Sequence, residues 1–104
     1  MGRSEKRALQ SSLGRLMQHL LKWKYQPNFQ SKSWQLTIKN QRREVTQNLK
    51  DNPSLKGTLN ETIERAYESA VGWAALETGL DESVFPERCP WSFDDVINND
   101  FLPK

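Results

Sequence analysis

The sequence predicts an all-α fold: an antiparallel helical bundle of three long helices plus a short C-terminal helix, in one domain over residues 1–104. Three observations carry that expectation. Apolar residues recur at helical spacing in three long stretches, capping or breaking residues bound each stretch, and no alternating tract reads as a strand. A chain of 104 residues suffices for one modest core. The mean hydropathy is low, at −0.82, but ten aromatic residues argue against disorder.

The first helix is expected over about residues 5–26, with Ser4 as its cap and Glu5 at the positive end of its dipole. Leu9, Leu13, Leu16, Met17, Leu20 and Leu21 form one wide apolar stripe. Burying six such side chains contributes roughly 10–18 kcal/mol before the entropy of ordering is counted. Pro27 and the polar run to Ser33 end this helix. Ser33 is expected to open the second, over 34–51, whose seam is Trp34, Ile38, Val45 and Leu49 and whose end is Asn52-Pro53. Gln41 and Arg42 fill the slot where an apolar residue would complete that seam. The third helix, 58–78, starts at an expected capping box, Thr58-Leu59-Asn60-Glu61, and stops at Gly79-Leu80. Ile63, Ala66, Tyr67, Ala70 and Ala74 mark its buried side. A turn-rich tail follows, and Ser92 with Asp95 caps the short helix at 93–98.

Antiparallel neighbours place residues equally far from a turn at one level. His19, Gln41 and Arg42 then share a level with Tyr67, which predicts a polar layer and a candidate recognition point. A buried Arg42 needs a partner, and Glu64 or Glu68 is the nearest carboxylate by level.

Charge is divided between the halves. Residues 1–50 hold eleven basic side chains against two acidic ones, a net charge of +9; residues 51–104 hold four against eleven, a net charge of −7. Such asymmetry points to binding rather than to chemistry. No run of about 18 apolar residues is present to span a membrane. The single cysteine, Cys89, suits a reducing compartment and the cytoplasm. His19 is the only histidine, so no multi-histidine metal site forms within one chain. Asp94-Asp95 reads as the first turn of a capped helix rather than as an acid–base pair, and no glycine-rich phosphate loop exists. No catalytic residue, metal or cofactor is assigned, and the sequence favours a non-enzyme.

Several phrases carry a resemblance: Gly2-Arg3-Ser4-Glu5-Lys6-Arg7, His19-Leu20-Leu21-Lys22-Trp23 with Tyr25-Gln26-Pro27, and Gln41-Arg42-Arg43-Glu44. Glu77-Thr78-Gly79-Leu80, Phe85-Pro86, Cys89-Pro90 and Asp100-Phe101-Leu102-Pro103 continue it. Together they resemble a bacterial, largely cyanobacterial, family known as domain of unknown function 29. The resemblance implies a helical bundle and no activity. Its members usually carry a leading acidic amphipathic helix that is expected to be missing ahead of Met1.

The function expected from these features is a protein–protein interaction module that docks an acidic or amphipathic helix or self-associates as a homo-oligomer. A stripe left uncovered by a missing helix would keep the chain from being a well-behaved monomer. The alternative is weak, non-specific nucleic-acid binding by the basic half. Its candidate basic and aromatic surface comprises Lys22, Trp23, Lys24, Tyr25, Lys39, Arg43 and Lys50.

Overall fold

The structure, a computed structural model, describes residues 2–104; Met1, where the junction with a leading helix is expected, lies outside them. The described residues form four helices and no strand: α1 Gly2–Tyr25, α2 Lys32–Asp51, α3 Leu59–Thr78 and α4 Phe93–Ile97. Short 3₁₀ turns at Pro27–Phe29, Pro53–Thr58 and Glu82–Val84 connect them. The all-α bundle is as the periodicity predicts.

Three helix starts differ from expectation, each for a local reason. Helix α1 already runs from Gly2, which puts Ser4 inside its first turn. Helix α2 is capped by Ser31 rather than Ser33: Ser31 is extended, and its Oγ accepts the Trp34 N–H at 3.2 Å. The capping box at Thr58 does not form. The chain enters α3 through a 3₁₀ turn, so Thr58 has φ −117° and ψ 18° and its side chain caps nothing. The stop at Gly79 and the start at Ser92 behave as read. Gly79 adopts φ 75°, where a side chain would be strained, and its N–H reaches the Ala75 carbonyl at 2.9 Å. Ser92 Oγ accepts the Asp95 N–H at 3.1 Å.

Helix α1 is the centre of the molecule. It packs against α2 on one flank and α3 on the other, while those two scarcely meet. The C-terminal segment then crosses one side of α1, with Cys89 Sγ 3.7 Å from Met17 Sδ. All six residues of the leucine stripe are completely buried by the chain's own α2, α3 and tail. The stripe therefore leaves no uncovered surface, and the expectation of poor behaviour as a monomer loses that basis. The exposed large apolar side chains lie elsewhere: Phe29, Leu36, Trp73, Leu76 and Val84.

Candidate functional site

The side of α1 opposite the C-terminal segment forms an open trough. Helix α3 contributes Trp73 and Leu76 to it, which are 39% and 84% exposed. Helix α2 contributes Asn40, Gln41, Arg43 and Glu44. Two shallow concavities, of about 220 and 400 Å³, share Arg15 of α1 as a common wall. Gly14 makes this shape, because a Cβ there would stand 2.9 Å from Trp73 Cζ3. The absent side chain lets the indole lie against α1. Neither Arg15 nor Arg43 has an ion-pair partner among the described residues.

At one end of the trough a buried cation crosses from the basic half to the acidic half. Lys22 Nζ lies 2.9 Å from Glu77 Oε2 and 4.6 Å from the centre of the Trp34 ring. Gln18 Nε2 donates to the other Glu77 oxygen. The hydrogen bond from Lys22 holds the Glu77 carboxyl below its ordinary value. His19 lies close by, its Nδ1–H donating to the Arg15 carbonyl at 2.8 Å, and burial lowers its pKa. Both shifts have the same sign. The unfolded chain takes up each proton at higher pH than the folded chain, so stability is complete above the ordinary values, 6.5 and 4.5. Urea midpoints measured through an acid titration should fall first below the ordinary histidine value and again below the carboxylate one. Glu77→Gln should make the second fall smaller, leaving the part due to Asp81, whose carboxyl is held below its ordinary value by the Ser83 N–H. A midpoint independent of pH over both ranges would contradict this account.

The four residues of the expected polar layer go to opposite sides of α1. Gln41 lines the trough and His19 bonds within α1 beside it. Arg42 and Tyr67 face the C-terminal segment. Arg42 is only 3% exposed; its Nε donates to the Val96 carbonyl at 2.8 Å and its Nη2 to that of Phe101 at 2.7 Å. The expected partners Glu64 and Glu68 do not reach it; backbone carbonyls of the tail take the guanidinium instead. Tyr67 Oη donates to the Pro86 carbonyl at 2.7 Å, and burial pushes its pKa well up, so it stays a protonated donor. No hydrogen bond joins any two of the four.

The basic and aromatic group is likewise divided. Lys24, Lys39, Arg43 and Lys50 are exposed, but Lys22 and Trp23 are buried and offer no surface. Tyr25 meets Phe85 edge to face, with centroids 5.2 Å apart. Trp23 belongs to the buried core with Tyr25 packed against it, and Lys22 is covered by Glu77 of α3 and Trp34 of α2. Glu77 and Gln18 were not legible as site residues: Glu77 lies 55 residues from its lysine partner, and no local pattern joins them.

Chemistry is sparse. Cys89 Sγ meets Met17 Sδ and the Trp91 carbonyl, burial raises its pKa, and His19 bonds elsewhere, so the two do not form a nucleophile pair. Among the described residues no three metal-ligating side chains converge, and no helix is long and apolar enough to cross a membrane. A cleft of about 610 Å³ beside the tail has Leu13 and Met17 in its wall and Glu64, Glu68 and Glu87 around it.

The family model with the description Domain of unknown function DUF29 matches residues 1–102. No curated protein and no solved structure matches the chain.

Proposed function

The chain belongs to the family Domain of unknown function DUF29, whose description assigns no activity, and from its geometry we propose a helical interaction module whose trough docks an acidic amphipathic helix of a partner protein. One observation carries this reading. Leu76 and Trp73, both exposed, share a concavity with the unpaired guanidinium of Arg15. An incoming helix would lie along α1 between α2 and α3, with apolar residues on Trp73 and Leu76 and carboxylates toward Arg15 and Arg43. It would make α1 the centre of a complete bundle. Glu44 is the counter-charge within the trough, since Glu77 is already held by Lys22. Cytoplasmic location is part of the proposal and rests on the unpaired thiol of Cys89.

The probe is a labelled helical peptide with leucines at helical spacing and glutamates elsewhere. Saturable binding is expected, with a change in tryptophan fluorescence from Trp73. Leu76→Glu should abolish it and Arg15→Glu should weaken it about tenfold, both without change in circular dichroism. Equal binding of a lysine-for-glutamate peptide would refute the acidic partner. A dimer formed without peptide and broken by Leu76→Glu would make a second copy of the chain the occupant. Nucleic-acid binding keeps its exposed lysines but loses the aromatic platform, because Trp23 and Tyr25 are engaged in packing.

A further inference from the structure

We propose that the outer face of α2 is a docking surface for an anionic lipid membrane, which the protein binds peripherally through a stripe that shares only Arg43 with the trough. Lys32, Lys39, Arg43 and Lys50 are all exposed. At about 100° per residue they fall within an arc of about 40°, and at about 1.5 Å per residue they span roughly 27 Å. None has an ion-pair partner among the described residues. The acidic residues of α2, Glu44 and Asp51, point about 100–120° away from the centre of this stripe. Asp51 also accepts a hydrogen bond from Gln47 at 2.9 Å. The stripe is a row of uncompensated positive charge.

Two apolar side chains decide between the anionic partners such a row fits. Leu36 lies about 20° beyond the edge of this arc, between Lys32 and Lys39 in sequence, and is 51% exposed. Phe29, 66% exposed, occupies the turn three residues before Lys32. A leucine and a phenylalanine beside basic residues suit the boundary between headgroups and acyl chains. A phosphodiester backbone has no use for them. Single-stranded nucleic acid would instead want a row of free aromatic faces, and this surface offers Phe29 alone, since Trp34 lies beneath Lys22.

The fold also keeps part of the opposing charge away from the stripe. Asp94, Asp95 and Asp100 lie nearer, on the C-terminal segment that packs along the Arg42 edge of α2, about 80° around the helix from the centre of the stripe, whereas Glu64, Glu68 and Glu87 stand around the cleft beside α3, across α1 from α2. Two helix-packing distances are roughly 16–20 Å. That exceeds a Debye length of about 10 Å, so these carboxylates repel a surface at α2 only weakly. They instead orient the molecule with α2 toward an anionic plane.

Co-sedimentation with vesicles tests the proposal. The chain should bind vesicles of mixed phosphatidylcholine and phosphatidylglycerol, should not bind phosphatidylcholine alone, and should be released by added salt. Each basic charge removed should cost about fivefold in partitioning, so Lys39→Gln with Lys50→Gln should lose about 25-fold. Leu36→Gln, which leaves every charge in place, should weaken binding severalfold. Leu76→Gln, in the trough, should leave it unchanged, which separates this surface from the peptide site. No retention on anionic vesicles, or equal retention on neutral ones, overturns the proposal. So does full retention by Leu36→Gln together with displacement of the vesicles by duplex DNA, which would assign the stripe to nucleic acid.

Discussion

Arg42→Met is expected to lower stability by about 2–5 kcal/mol and to free the C-terminal segment from the bundle. The guanidinium is buried and ties α2 to the chain beyond it through the Val96 and Phe101 carbonyls, with a longer contact, 3.5 Å, to that of Asp95. Burial lowers its pKa, yet a guanidinium remains charged at any pH the fold survives. Methionine fills comparable volume but donates nothing, so the Val96 carbonyl of α4 and the Phe101 carbonyl beyond it lose their partner. Each such loss costs about 1–3 kcal/mol. Urea unfolding measures the total. Limited proteolysis locates it: cleavage near Asn98–Phe101 should become fast in the variant while the three long helices resist. Arg42→Lys should be intermediate, because one ammonium cannot reproduce the fork that serves two separated carbonyls. A loss below about 1 kcal/mol, with the tail still protected, would show that packing alone holds this segment.

Leu16→Ala should cost about 2–5 kcal/mol, the range for emptying a fully buried leucine site. Leu16 is completely buried on α1, the one helix that both α2 and α3 pack against. A cavity there weakens both interfaces, so a single cooperative transition at lower urea is expected rather than detachment of one helix. Leu76→Gln is the contrasting case. That side chain is 84% exposed, so its replacement should change stability by less than about 0.5 kcal/mol. If Leu76→Gln destabilised the chain as much as Leu16→Ala, Leu76 would belong to the core and the trough would lose its apolar anchor.

Helical periodicity and end chemistry are local properties, and those were legible. The Leu9–Leu21 stripe, the left-handed Gly79 and the Ser92 cap each follow from neighbours a few residues away. Arg42 could be placed on the buried side from its angle to Ile38 and Leu49 alone. Its partners could not: backbone carbonyls carry no side-chain signal, and where Val96 and Phe101 lie depends on the path of the tail. The equal-level argument failed on direction. His19 and Gln41 stand on the trough side of α1 while Arg42 and Tyr67 stand on the other. Level along an axis says nothing about rotation around it.

By itself, then, the sequence determined three long helices, their stripes and stops, and a charge division between halves, because each depends on spacing and composition. Tertiary structure alone decided that Lys22 is buried against Glu77 while Lys39 and Lys50 remain in solvent. Both kinds of lysine look alike on an amphipathic helix. Which of them reaches water depends on where α3 and the tail come to lie, and that is set by contacts between residues distant in the chain.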